Sequence, residues 1–246
     1  MSIESEQDLL GMQRVAEVVK EALTTLQAAV EPGVSTAELD RLCARVFAKH
    51  GAFSAPRLEY GAPITVFISV NDAVVHGLPS AYKLRKGDVV TLDVTPKLNG
   101  YVADAARTVV VPPASARALT LIACAEAAFW AAMRVTRADR PINGIGKVVE
   151  RKAKQGGFSV IWDLSGHGVG RAIHEEPNVL NFYHPKFGQK LSENLVIAIE
   201  PMLSAGRPQL KERADGWTIA TRDGSLSAHY ENTLIVQQGR PLVLTA

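Results

Sequence analysis

The stretch TLDVTPKLNGYVADAARTV, Thr91 to Val109, turns on the pair Asn99-Gly100. No other feature of the chain leaves fewer choices, because Asn-Gly accepts positive φ at both positions of a two-residue hairpin loop. With that loop in place, Leu98 faces Tyr101 and Thr95 faces Asp104. Asp93, two residues before Thr95, shares their face. The two aspartates then stand diagonally across the ladder, their backbones roughly 7–8 Å apart. Two anions held so close repel each other unless something positive lies between them. A proton or a metal ion would serve, and the hairpin alone permits either.

The chain has 246 residues, 47% of them hydrophobic, enough to bury a substantial core. A net charge of +2 gives no reason to expect nucleic acid or an anionic membrane as partner. Cys43 and Cys124 lie far apart without a CxxC spacing, which argues against a disulfide framework or a thiolate zinc site and fits a reducing compartment. The N-terminal segment MSIESEQDLLGM is polar and lacks the apolar core of a signal peptide, and no apolar run reads as long enough to span a bilayer. A cytoplasmic protein is expected.

Apolar residues recur at helical spacing from about Glu4 to Val30, and Glu31-Pro32-Gly33 stops that helix. Ser35-Thr36-Ala37-Glu38 reads as the capping signal of a second helix ending near Gly51. From Ala52 to Val111 the texture is β, closed by Pro112-Pro113. Helices follow over about Ala114–Arg137 and Asn143–Gln155. Strands return at Phe158–Trp162, Leu195–Ile199, Trp217–Thr221 and Tyr230–Val236. Helix pairs alternating with antiparallel strands predict an α+β fold, one domain over residues 1–246, built from two similar halves whose strands join in one sheet.

Several polar residues sit where apolar ones would be cheaper. Glu200 follows Leu195-Val196-Ile197-Ala198-Ile199, and Glu231 enters the last strand. A carboxylate at a buried strand is costly unless paired or metal-bound. His76 lies at a strand end before Gly77, and His167 and His174 flank the glycines of GHGVGRAIH, which allow close approach of backbone to a ligand. His50 and His184 look like ordinary surface. His229 is expected to turn away from whatever Glu231 faces. Taken singly, each acid has an ordinary explanation as an edge, turn or helix-start residue. Together, four carboxylates and an imidazole make a ligand set for two divalent ions. The alternatives are poorer: GHGVGR lacks the lysine and setting of a phosphate loop, and GxSxG is absent.

The order HGLP, LDVT with an aspartate eleven residues on, GHGVGRAIHEEP, IEP, DGWT and SAHYENT resembles the type I methionine aminopeptidases through nearly the whole chain. The resemblance implies a pita-bread fold, two related halves around a curved antiparallel sheet that holds two divalent ions, whether Co, Mn, Fe or Zn. Matching positions are Asp93, Asp104, His167, Glu200 and Glu231 as metal ligands, with Asp104 and Glu231 bridging. His76 and His174 match substrate-contacting histidines, and Asn71, Ala73 and Ser227 match the holders of a structural monovalent cation. The implied reaction is removal of an N-terminal methionine by metal-activated water, with Glu200 moving the proton, His174 stabilising the oxyanion and His76 contacting the scissile amide. The implied partners are N-termini of peptides or nascent proteins, met by a monomer, with ribosome association a further expectation. A non-catalytic binding module of the same fold, or an aminopeptidase for another residue, are the competing readings.

The methionine pocket departs from that pattern. Counting back from Asn71, positions where relatives carry cysteine and tyrosines hold Pro56, Glu59, Ala62 and Phe67, and the usual phenylalanine before the second histidine is Ile173. Trp217 stands as expected. Loss of aromatic walls and added bulk at Phe67 predict inefficient methionine removal.

Overall fold

In the computed structural model, which describes residues 1–246, the hairpin closes as its Asn-Gly pair requires. Leu98 pairs with Tyr101 and Lys97 with Val102, and Asn99 and Gly100 both have positive φ, 50° and 82°. The same register continues down the arms, where Asp93 pairs with Ala106 and Val94 with Ala105. The Thr95 hydroxyl donates to Asp104 Oδ1 at 2.8 Å.

Strand Val89–Val94 lies between Phe67–Val70 and Ala105–Val110. In the second half, Val196–Ile199 lies between Ser165–Gly168 and Asn232–Ile235. Beyond Glu200-Pro201 and Tyr230-Glu231 the same two chain segments go on pairing as Met202–Ser204 and Ser227–His229, without a register change. The halves join edge to edge. Arg107 bridges Tyr230, the Glu231 N–H donates to the Ala106 carbonyl at 3.0 Å, and the Thr233 N–H donates to the Asp104 carbonyl at 3.1 Å. From the outer side the Arg107 guanidinium donates to the carbonyls of Ala106 and Glu231 and to Asn232 Oδ1, and it stacks on the Tyr230 ring at 4.3 Å.

Each half carries a helix pair. The first is α1, Glu6–Ala28, capped by the Ser5 hydroxyl, with α2, Thr36–His50, whose Ser35–Glu38 capping box has both hydrogen bonds in place. Met12, Val15, Leu23, Leu39 and Phe47 of this pair pack against Val90, Leu92 and Val94. After a short α3, Ala55–Tyr60, the second pair is α4, Ala116–Met133, with α5, Asn143–Gly156. It packs Leu121, Phe129, Ile145 and Val149 against Ile197, Ile199 and Leu234.

Two expectations need correction. The segment after Ala52 is not purely β: Pro56 near a helix start and Gly61 at positive φ just past its end frame α3. By length and composition α4 does reach the threshold of a membrane span, contrary to the sequence reading. Half of the helix is buried against the core, as in an interior helix of a folded domain.

Candidate metal centre

Alternation along Val89–Val94 sends Val90, Leu92 and Val94 into the core beneath α1 and α2, which turns Asp93 to the opposite face. Strand pairing then carries one row across the sheet: Phe67 beside Asp93, Asp93 beside Ala106, Ala106 beside Glu231, and Glu231 across from Glu200. Asp104 and His167 join from neighbouring positions on that face, and the ligand atoms of Asp104, His167 and Glu231 lie within 4.8 Å of one another. The five residues that the sequence singles out as metal ligands thus converge, two from the first half and three from the second.

The donor set suits a divalent cation. His167 Nδ1 lies 2.9 Å from the Gly168 carbonyl and donates to it, leaving the Nε2 lone pair directed at Glu200 Oε1, 3.4 Å away. Glu231 Oε1 is buried without a hydrogen-bond partner. Arg107 spends its donors on carbonyls and an amide behind the site rather than on the carboxylates. Burial pushes Asp93 up to about 7, with the charge of Glu200 adding to the effect. Burial likewise lifts Asp104, Glu200 and Glu231 well above the usual carboxylate range, and neighbouring acids add to the rise at Asp104 and Glu231. With no cation among them these acids hold protons, so a metal would displace protons on binding.

His76 and His174 stand at the mouth of this face. His76 follows strand Ala73–Val75 with φ at 57°, a region that few side chains other than glycine occupy. The next residue has to be glycine, since a Cβ on Gly77 would come within 2.3 Å of the Ile68 carbonyl oxygen. His174 is steadied by the Tyr60 hydroxyl, 2.7 Å from its Nδ1. Burial holds His76, His167 and His229 down at about 4 and lowers His174, so these rings are neutral near pH 7.

A cavity of about 90 Å³ lies over the row. Of the residues expected around the substrate, Pro56, Phe67, Ile173 and Trp217 line it, together with His76 and His174. Two do not. Glu59 turns away to accept from Lys97 Nζ at 2.9 Å and from the Ile173 N–H at 3.0 Å. Ala62 packs behind the wall with Ile64 and Phe67. Tyr60, which residue counting passed over, supplies an aromatic wall instead. A tyrosine ending α3 just before Gly61 was the available signal. Phe67 lies against His76, ring centroids 4.9 Å apart, and 6.2 Å from Trp217.

His229 also departs from expectation. It does not turn away from Glu231, because residues two apart on a strand share a face. Its Nε2 lies 3.2 Å from Glu200 Oε2 and 3.6 Å from Glu231 Oε2. Asn71, Ala73 and Ser227 also come together, the Ser227 hydroxyl donating to the Ala73 carbonyl at 2.9 Å with the Asn71 carbonyl 3.4 Å away.

Comparison with known proteins points the same way. A methionine aminopeptidase of Clostridium perfringens is 41% identical over 99% of this chain and 98% of its own length. Methionine aminopeptidase 2 of Bacillus subtilis is 37% identical over 100% of this chain and 99% of its own. The crystal structure of a methionine aminopeptidase from Rickettsia prowazekii superposes with a TM-score of 0.95 at 33% identity, each chain covered in full. The fold is therefore the pita-bread architecture expected from the resemblance. The profile of metallopeptidase family M24 matches residues 11–238, and with this row of acids at its centre the chain belongs to that family.

Proposed function

We propose that the chain removes N-terminal methionine from peptides and nascent proteins. The observation that carries this reading is the carboxylate row, ending at Phe67 under a small cavity whose other walls are His76, His174, Tyr60, Ile173 and Trp217. A cavity this small admits one terminal residue rather than a length of chain. Asp93, Asp104, His167, Glu200 and Glu231 would hold two divalent ions. When bound, the ions supply the acidified water and the carbonyl polarisation that peptide hydrolysis needs. Glu200, buried yet at the edge of the cavity, takes up the proton released in attack and returns it to the leaving amine.

His174 donates from Nε2 to the developing oxyanion. The Tyr60 hydroxyl sets that tautomer by donating to Nδ1. His76, held at its unusual φ, presents its ring to the scissile amide. Asn71, Ala73 and Ser227 hold a structural monovalent cation when one is present. The enzyme works as a monomer in the cytoplasm, where it meets nascent chains at the ribosome.

A second reading keeps the chemistry and changes the terminal residue accepted. The crowding of the cavity by Phe67 favours it. The test is release of the first residue from peptides varied at positions one and two, by protein stripped of metal and reconstituted in turn with Co, Mn, Fe and Zn. Methionine release above every other residue supports the proposal. Faster release of a smaller apolar residue supports the second reading, and no release with any metal overturns both.

A further inference from the structure

His229 is 2% exposed, and neither of its ring nitrogens has a hydrogen-bond partner. Buried imidazoles are ordinarily satisfied, so the packing of this ring is not explained by hydrogen bonding. Its backbone is firmly placed. The His229 N–H donates to Thr108 Oγ1 at 2.8 Å, the Thr108 hydroxyl lies 2.8 Å from the His229 carbonyl, and His229 pairs with Met202 across the sheet. The ring therefore projects onto the carboxylate face because the register puts it there.

The distances around Nε2 have the size of a coordination edge. Ions bound at about 2.1 Å set neighbouring ligand atoms about 3.0 Å apart in an octahedron and about 3.4 Å apart in a tetrahedron. His229 Nε2 stands 3.2 Å from Glu200 Oε2 and 3.6 Å from Glu231 Oε2. His167 Nε2 stands 3.4 Å from Glu200 Oε1, the other oxygen of the same carboxylate. Glu200 thus lies between two imidazoles placed alike. The ligand atoms of Glu200, His229 and Glu231 fall within 4.8 Å of one another, as do those of Asp104, His167 and Glu231.

We infer that His229 is a sixth protein ligand of the metal centre, a second imidazole nitrogen completing the position bounded by Glu200 and Glu231. The inference rests on the dinuclear reading given above. Its chemical consequence is a shift in metal preference. Imidazole suits cobalt, iron and zinc, whereas an all-oxygen site suits manganese and magnesium, so the added nitrogen biases the centre against the latter pair.

The experiment uses full-length protein stripped of metal and titrated with Co(II), then with Mn(II) in competition. Binding is followed by calorimetry and by proton NMR of the paramagnetic cobalt form. In that form each coordinated imidazole contributes one strongly shifted, exchangeable ring N–H resonance. Wild-type protein at two equivalents of cobalt should show two such resonances. His229→Gln should lose one of them, bind one cobalt equivalent at least tenfold more weakly, and narrow the preference for cobalt over manganese. The wild-type count stands even if the variant fails to fold. Two equivalents bound with a single resonance would leave the dinuclear centre intact and overturn the role of His229. A variant with unchanged cobalt affinity overturns it equally, and wild-type protein that binds no cobalt overturns the dinuclear reading with it.

Discussion

Asp93 stands on a strand whose register is fixed on both sides, by Phe67 and by Ala106, whereas Tyr60 ends a six-residue helix held by one Ser54 cap and its contacts at the rim. Both border the same cavity. The acids of the row inherit their positions from backbone pairing, where a shift of one residue would turn every side chain to the other face. Apart from Phe67, which stands on the strand beside Asp93, the pocket wall inherits its positions from loops and a short helix, which tolerate changes of length and angle. The site therefore joins a fixed floor to an adjustable rim. Chemistry should depend steeply on the first and substrate choice gently on the second.

Substitution in the floor should be ruinous. Asp104→Ala deletes a carboxylate of the row that Thr95 hydrogen-bonds, and metal content measured by atomic absorption should fall together with turnover to background. If metal and turnover both persist, the floor is not what holds the metal. His174→Ala tests a group that spans the two regions. Metal should stay bound while kcat drops on the order of 10²–10³, as for loss of an oxyanion donor.

The acidity of the floor offers a third probe. Asp93 is raised from 3.8 to about 7, so the metal-free folded chain holds protons that the unfolded chain has released across that window. The contribution of these acids to folding stability is present in full below pH 4 and is lost as pH rises towards 7. Metal binding reverses this, with affinity increasing about tenfold per pH unit for each proton displaced. The rise in Tm on adding metal should accordingly grow between pH 5 and pH 8, and a shift independent of pH would mean that the acids are already ionised.

Effects at the rim should be smaller. Tyr60→Phe removes one hydrogen bond to His174, about 0.5–1.5 kcal/mol, so kcat should fall roughly threefold to tenfold with metal content unchanged. Phe67→Cys alters a wall carried by a floor strand but spares the acids; it opens space beside Trp217 and His76, and kcat/KM for methionyl peptides should rise by about twofold to tenfold. Should the rim variants cost as much as Asp104→Ala, floor and rim would not be separable.

The same division explains what could be read without coordinates. Asn99-Gly100 sets a register that places Thr95 beside Asp104, and apolar runs interrupted at Glu200 and Glu231 mark the rest of the row. The capping box at Ser35 fixes the start of α2 for the same reason, a local hydrogen-bond demand met by nearby residues. Tyr60 as a helix end is marked by Gly61, but its contact with His174 is not legible, because it spans 114 positions and depends on how α3 docks. His229 was within reach: period-two alternation relative to Glu231 suffices, properly applied. The burial of α4 could not be judged from its composition, since an interior helix and a membrane span share the same apolar content.

The seam between the halves bears on time as well as on structure. The Asp104 N–H finds its partner in the Thr233 hydroxyl, 129 positions along the chain. A loop of that length closes slowly, after local helix pairs and hairpins have formed. Each half therefore gains its helix-covered side before the face that carries Asp93, Asp104, Glu200 and Glu231 exists. A chain still emerging from synthesis carries Asp93 and Asp104 without His167, Glu200 and Glu231. Hydrolytic competence requires both halves, so a copy lacking either has no means of cutting the termini of its neighbours.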